Sequence, residues 1–126
     1  MINRALSGQV LIVDEDRGWR EELAGLLDDA GYEVSAVATS AEALRLAEET
    51  EFDLAVIDYG MPFVGRVDLF RRLRWRCPKM RGIFLTEQSS AYGTSSALSA
   101  GVERVVDRAA VIQDSAAWLE ELVGAD

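Results

Sequence analysis

The 126-residue sequence predicts an α/β fold in which five parallel strands form one sheet and helices cover both of its faces. Two observations predict this fold: five short apolar runs recur along the chain, and segments of helical periodicity separate them. The runs are nearly continuous in hydrophobicity, which is typical of strands buried on both faces of a parallel sheet. Right-handed crossovers then give a doubly wound (βα)5 sheet, which binds ligands beyond the carboxyl ends of its strands.

The predicted strands are the apolar runs themselves. Each run has about the length of a strand, and each is followed by polar residues or by the start of a helical segment. The five runs are Val10–Val13, Val34–Ala38, Leu54–Ile57, Ile83–Leu85 and Val102–Val106.

Five helices are predicted after these strands. The first carries an apolar stripe from Trp19 to Ala30 and ends before Gly31, a residue suited to the C′ position of a helix. Thr39 and Glu42 form a capping box that begins the second helix. The other three are predicted over Val67–Trp75, over Ala91–Ala100 with Gly101 closing it, and after Asp114, which caps a segment containing Trp118.

Composition narrows the class of function. The net charge of −9, from 13 basic and 22 acidic residues, argues against direct binding to nucleic acid or to an anionic membrane. The absence of histidine excludes His-based catalytic triads and His metal ligands. Cys77 is the only cysteine, so no internal disulfide can form, and we expect a structural thiol in a reducing, cytoplasmic compartment. The N-terminal apolar run is too short to span a membrane.

Polar side chains follow several of the predicted strands. Asp14 follows the first strand, Asp58 the third and Thr86 the fourth, and Arg108 comes shortly after the fifth. Because the carboxyl ends of parallel strands meet at one edge of a sheet, we expect these residues to converge on one crevice. Asp14, Glu15 and Asp58 then form a carboxylate cluster that is costly unless a hard cation neutralises it, and Mg²⁺ is the obvious ion.

This cluster predicts an aspartyl nucleophile. With the metal and Arg108 screening the negative charge, Asp58 can attack a phosphoryl group, while the metal and Thr86 bind the phosphoryl oxygens. The hypothesis from the residues is formation of an aspartyl phosphate at Asp58.

Four sequence landmarks resemble those of the response regulator receiver (CheY-like) family. The resemblance covers essentially the whole chain, so residues 1–126 are expected to form one receiver domain of flavodoxin-like fold, with strand order 2-1-3-4-5. The landmarks are Val13-Asp14-Glu15-Asp16, Asp58-Tyr59-Gly60-Met61-Pro62, Phe84-Leu85-Thr86 and Ala100-Gly101-Val102.

The resemblance implies a phosphoacceptor domain of a two-component system rather than a true enzyme, with at most autocatalytic phosphotransfer and autodephosphorylation. Asp58 would accept the phosphoryl group from a sensor histidine kinase or phosphotransfer protein. Asp14, Glu15, Asp58 and the backbone carbonyl of Gly60 would hold Mg²⁺, and Thr86 would move toward the phosphate. The fourth helix, fifth strand and fifth helix would form the surface for a downstream partner or effector domain, and two copies could pair through it.

Several residues depart from the family pattern. Arg108 stands in place of a near-invariant lysine, and its planar fork is not interchangeable with a compact ammonium group. Glu87 follows Thr86 where the family commonly has a small residue, and Val105 stands where an aromatic is expected. These departures motivate an alternative hypothesis, a receiver-like interaction module that acts without phosphorylation. A haloacid-dehalogenase-type phosphatase is disfavoured because Gly60 replaces the second aspartate that it needs.

Three further features are interpreted structurally. Seven of the 13 basic residues lie between Arg66 and Arg81, which favours a solvated face of the third helix over a nucleic-acid or partner patch. The segment Phe63–Arg66 is interpreted as part of a loop that differs from the family's. The tryptophans are expected to pack in or beside the core; they are Trp19, Trp75 and Trp118.

Overall fold

A computed structural model describes residues 8–58, 63–86, 97–114 and 117–118. Five strands pair in parallel in one sheet, in the order β2-β1-β3-β4-β5. The predicted fold class and strand order are therefore confirmed. The strands are β1 (Gln9–Val13), β2 (Glu33–Val37), β3 (Leu54–Ile57), β4 (Arg81–Thr86) and β5 (Arg104–Asp107).

Four helices of six or more residues lie within the described ranges, between and after these strands. The first two agree with the predictions, and the third begins four residues earlier than predicted, so that Phe63–Arg66 is helical rather than a loop. The prediction relied on buried positions being apolar. In this first turn the buried Arg66 is charged, so the apolar pattern did not reveal the turn. The helices are α1 (Arg17–Asp29), α2 (Ser40–Ala47), α3 (Phe63–Arg76) and α4 (Arg108–Gln113).

The ends of α1 confirm the predicted helix boundary. The Asp16 side chain accepts a hydrogen bond from the backbone N–H of Trp19 at the N-terminus, at 3.2 Å. At the other end Gly31 has a φ of +101°, and the N–H of Tyr32 donates to the carbonyl of Leu27 at 3.2 Å. This is a Schellman ending, which explains why a glycine stands at residue 31.

The prediction that Thr39 caps the start of the second helix is also confirmed. The Thr39 hydroxyl accepts a hydrogen bond from the backbone N–H of Glu42 at 3.2 Å, and α2 begins at the next residue. For the fourth predicted helix only the end is described: residues 97–99 are helical, and Gly101 closes the turn with a φ of +99°. Residues 91–96 of that predicted segment lie outside the described residues.

Helix α4 was not predicted. It begins directly after β5, where Asp107 is extended and Arg108 opens the first turn. The pattern of apolar residues is weak here, but Arg108, Ala109 and Ala110 all have high helix propensity. After α4, the side chain of Asp114 accepts from the N–H of Ala117 at 3.0 Å, as predicted for a cap.

The core has two layers, one on each face of the sheet, as a doubly wound fold requires. One layer packs against α2 and α3 and contains Phe52, Leu69, Phe70, Leu73 and Phe84. The other packs against α1 and contains Ile12, Trp19, Leu23, Leu27, Val56 and Trp118.

The tryptophan prediction is correct for two residues and wrong for the third. Trp19 and Trp118 are buried, whereas Trp75 is 86% exposed. The buried stripe of α3 runs through Phe70, Leu73 and Cys77, which follows α3 directly, and a residue two positions after Leu73 points to the opposite side of the helix. Cys77 is a buried free thiol, as expected for a structural cysteine. None of the helices in the described ranges has the length and apolar character needed to cross a bilayer.

Candidate functional site

Two buried aspartates lie side by side at the carboxyl edge of the sheet. Val13 and Ile57 are partners in the β1–β3 register, so the residues that follow them, Asp14 and Asp58, are adjacent. Their backbone N–H groups continue the ladder, that of Asp58 donating to the carbonyl of Val13 at 3.0 Å. Asp14 is 3% exposed and Asp58 4% exposed. The structure thus brings these two predicted site residues together.

Arg108 reaches this pair from the first turn of α4. Its Nη2 contacts Oδ2 of Asp58 and lies 3.4 Å from Oδ2 of Asp14. Its Nη1 lies 3.9 Å from Oδ2 of Asp16, which is more exposed. The sequence predicted that Arg108 lies in the crevice as a phosphate partner; the structure adds that its guanidinium contacts the Asp58 carboxylate directly.

Helix α1 holds Arg108 on its other side. The guanidinium carbon of Arg108 lies 4.8 Å from the centroid of the Trp19 ring, within the range of a cation–π contact. Such contacts strengthen when the cation is removed from water, and the Arg108 side chain is only 18% exposed. Trp19 was predicted as a core residue only, and its contact with the site was missed because no local pattern signals a partner 89 residues away.

Burial dominates the electrostatics of Asp14. Desolvation raises the pKa of the Asp14 carboxyl above its ordinary value of 3.8. The hydrogen bond from the Asp16 N–H, at 2.9 Å, and the charge of Arg108 act in the opposite direction without overcoming burial. A carboxylate in this position is stabilised by additional positive charge, whether from a side chain or an ion.

Arg66 is the site residue that the sequence reasoning missed. It was grouped with the solvated basic run, but it is only 9% exposed, and its Nη1 donates to the backbone carbonyl of Leu85 at 3.3 Å. Burial lowers the pKa of Arg66, while the negative charge of Asp58 acts to raise it. Arg66 therefore lies within electrostatic reach of Asp58 from the side opposite to the α1 layer.

Of the other predicted site residues, one lies at the same edge of the sheet, one is exposed and one lies outside the described residues. Thr86 ends β4 and is the register partner of Asp107, which places it at the same edge as Arg108. Glu15 is exposed. Gly60 and Glu87 lie outside the described residues, as do Met61 and Pro62 of the sequence motif.

The same carboxylates bear on metal binding. Within the described part of the chain, no group of three or more Asp, Glu, Cys or His side chains is arranged to hold a metal ion. Asp14 and Asp58 nevertheless form a pair of adjacent buried carboxylates, and carboxylate oxygen is the donor that Mg²⁺ prefers. The pair fits a divalent cation in charge and donor type, and the contact with Arg108 shows that a cation is accommodated there.

Comparison with known proteins relates the chain to signalling proteins. The family model of the response regulator receiver domain matches residues 10–115. The two-component response regulator PhoP of Pseudomonas aeruginosa is 30% identical over 115 residues, covering 91% of this chain and 51% of that protein. The transcriptional regulatory protein PrrA of Mycobacterium leprae is 32% identical over 117 residues, covering 93% and 50%. The chain thus spans about half the length of these curated relatives.

Solved structures with the same fold include receiver domains. The non-phosphorylated HemR receiver domain of Leptospira biflexa superposes with a TM-score of 0.78 at 25% identity, covering 91% of this chain and 93% of that one. The chemotaxis protein CheY4 of Vibrio cholerae gives a TM-score of 0.74 at 26% identity, with 81% and 87% covered. A response regulator of Thermotoga maritima, at 19% identity and a TM-score of 0.79 over 94% and 98%, supports the fold alone.

Proposed function

The chain belongs to the response regulator receiver domain family, and from that premise we propose that it is a phosphoacceptor domain in which Asp58 receives the phosphoryl group. The observation that carries the proposal is the buried Asp58 carboxylate at the end of β3, with Asp14 beside it and the Arg108 guanidinium in contact. A buried carboxylate among cations at a sheet edge is suited to nucleophilic attack on a phosphorus atom.

The proposed reaction is a phosphoryl transfer. An Asp58 carboxylate oxygen bonds to phosphorus as the bond from phosphorus to the donor breaks, giving an acyl phosphate and the free donor. Arg108 and Arg66 would stabilise charge on the phosphoryl oxygens, because guanidinium groups pair well with phosphate. The Thr86 hydroxyl would bind a further oxygen. Mg²⁺, held by Asp14 and Asp58 together with Glu15 and the carbonyl of Gly60, would supply additional charge neutralisation.

The partners follow from this role. The donor would be the phosphohistidine of a sensor histidine kinase or phosphotransfer protein in the cytoplasm. Thr86 and β5 are adjacent, so phosphorylation would be transmitted to the surface formed by the segment before Gly101, β5 and the segment beyond Asp114. A downstream protein, an effector domain or a second copy would bind there.

The test is the intact mass of the chain after incubation with Mg²⁺ and acetyl phosphate. We expect the mass of one added phosphoryl group on the wild type and none on Asp58→Asn. Asp68→Asn, which removes an exposed carboxylate of α3, is the matched control and should be modified like the wild type. Phosphorylation of the Asp58→Asn variant to the same extent would reject Asp58 as the acceptor.

A second candidate function is an interaction module that acts without phosphorylation. The observation that favours it is that Arg108 already contacts Asp58 and Asp14, so that the carboxylate pair is partly neutralised by the chain itself. In this case neither acetyl phosphate nor a panel of histidine kinases would modify the wild type, and Asp58→Asn would leave signalling unchanged.

A further inference from the structure

We propose that the chain carries a second binding site, a basic groove that takes a short acidic peptide segment of a partner protein together with one of its apolar side chains. The groove has a volume of about 440 Å³ and lies between the C-terminal half of α3 and residues 99–101. It shares no residue with the carboxylate site described above, so the inference goes beyond the proposed function.

The groove lies at the amino edge of the sheet. Helix α3 follows β3 and returns to the start of β4, so its last turns lie near the amino ends of the strands, and residues 99–101 precede β5. Asp14 and Asp58 lie at the opposite, carboxyl edge. A partner in the groove therefore leaves the two aspartates accessible, and both sites can be occupied at the same time.

Trp75 is the first observation that points to a ligand. Its side chain is 86% exposed and lines the groove together with Pro78, which is also exposed. The basic run around Trp75 was predicted to be a solvated face, and a solvated face does not need a large aromatic residue. Tryptophan and arginine are the side chains that most often anchor a partner at protein interfaces. An exposed indole in a groove between arginines is therefore suited to hold an apolar side chain.

The charge of the groove is the second observation. Residues 71–79 include five basic and no acidic residues, although the chain has a net charge of −9. Two arginines of this stretch that do not line the groove form ion pairs, Arg72 with Asp68 and Arg76 with Glu48. Within the described residues, Arg71 and Arg74, which line the groove, have no carboxylate partner. Guanidinium groups bind carboxylates through paired hydrogen bonds, so the groove is complementary to aspartate and glutamate side chains.

Arg74 is held in position by the fold itself. Its guanidinium carbon lies 5.6 Å from the centroid of the buried Phe70 ring, and its Nη1 donates to the backbone carbonyl of Gly101 at 3.4 Å. A guanidinium has five N–H donors, so these contacts leave others for a carboxylate. Because the side chain is already ordered, binding costs less rotamer entropy than it does for an arginine that moves in solvent.

Single-stranded nucleic acid has some of the same chemistry, since bases stack on tryptophan and phosphates pair with arginine. A nucleic-acid strand, however, carries a negative charge at every nucleotide and extends beyond a groove of this size over a protein of net negative charge. A short peptide brings its few carboxylates into the groove alone. The charge distribution therefore favours an acidic peptide.

The experiment is fluorescence anisotropy of the full chain with a fluorescein-labelled peptide in which glutamates flank a leucine on both sides. We expect saturable binding by the wild type and an affinity about tenfold lower for Trp75→Gln and for Arg71→Gln, the size of one lost anchor. Both side chains are exposed, so both variants should fold. Arg17→Gln, which removes an exposed arginine of α1, is the matched control and should bind like the wild type. The same peptide with glutamine in place of glutamate should bind more weakly than the acidic peptide.

Three outcomes would overturn the proposal. The first is no saturable binding by the wild type, or equal binding by the wild type, Trp75→Gln and Arg71→Gln. The second is tighter binding of a fluorescein-labelled oligothymidylate than of the peptide, which would make the groove a nucleic-acid site. The third is self-association in sedimentation that Trp75→Gln abolishes, which would make a second copy of the chain the occupant. Asp58→Asn should bind the peptide like the wild type, so these results are independent of whether Asp58 accepts a phosphoryl group.

Discussion

The guanidinium carbon of Arg66 lies 5.3 Å from the centroid of the Phe84 ring, so that an arginine from α3 packs against a core aromatic of β4. Phe84 is held in turn by Phe70, at 6.2 Å between ring centroids in an edge-to-face arrangement. With the hydrogen bond to the carbonyl of Leu85, these contacts fix Arg66 at the edge of the sheet where Asp58 lies. The position of this cation is therefore set by the core rather than by solvent.

Replacement of Arg66 by methionine should slow the proposed phosphorylation of Asp58 by acetyl phosphate about tenfold, the size of one lost charge-assisted contact. Methionine fills much of the same volume against Phe84, so the fold should be retained. The rate is measured from intact mass against time. Arg72→Met is the control, because Arg72 is exposed and pairs with Asp68, four residues earlier in α3, at 3.0 Å. Equal rates for the two variants would mean that Arg66 does not act on the phosphoryl group.

Replacement of Asp14 by asparagine should stabilise the metal-free fold at neutral pH by on the order of 1 kcal/mol. Burial raises the pKa of Asp14 in the folded chain, so the folded state binds this proton more tightly than the unfolded state does. The Asp14 contribution to stability is therefore most favourable at pH values below 3.8, and it decreases as pH rises through the raised pKa. The side chain of an asparagine does not ionise, so the variant does not lose stability in this way as pH rises.

The measurement for Asp14 is urea unfolding in EDTA from pH 4 to pH 8. The advantage of Asp14→Asn over the wild type should be largest at the upper end of this range and should shrink as pH falls. Glu22→Gln, which removes an exposed carboxylate of α1, is the control and should change the free energy of unfolding by less than about 0.5 kcal/mol at pH 8. A variant less stable than the wild type at every pH would contradict the prediction.

Much of the fold and the adjacency of Asp14 and Asp58 could be predicted because they depend on local patterns. The strands appear as apolar runs, and Gly31 marks a helix end through a conformation that glycine adopts readily. Asp14 and Asp58 were found because residues that follow neighbouring parallel strands must lie together.

The burial of Arg66 and the presence of helix α4 could not be predicted, because neither depends on a local pattern of apolar residues. Arg66 is buried by its packing against Phe84, and a charged residue near the start of a helix normally indicates solvent exposure. Among the side chains of α4 whose burial is described, Val111 is the one that is buried, so the helix shows no periodic stripe of the kind on which helix prediction depends. Trp75 was predicted to pack in or beside the core because it is a large aromatic residue. Its position on α3 instead leaves the side chain exposed.

Replacement of Trp75 by glutamine should change the free energy of unfolding by less than about 0.5 kcal/mol, because the side chain is 86% exposed. It should also move the tryptophan emission of the chain to shorter wavelength, since the two tryptophans that remain, Trp19 and Trp118, are buried. Chemical unfolding and an emission spectrum check both statements. A loss of several kcal/mol would show that Trp75 packs against the protein after all.

Two Gly→Ala substitutions should have opposite effects on stability. A Cβ at Gly82, in β4, would lie 2.1 Å from a ring carbon of Phe70, whose ring is fully buried and cannot move aside. Gly82→Ala should therefore destabilise the fold by roughly 1–3 kcal/mol, as overpacking does. A Cβ at Gly25, on the exposed side of α1, would meet no described atom within 4 Å apart from its chain neighbours and the helix's own backbone, so Gly25→Ala should stabilise the fold by about 0.5–1 kcal/mol through helix propensity. Urea unfolding of the two variants measures both changes, and a Gly82→Ala variant as stable as the wild type would show that Phe70 does not pack against β4 in this way.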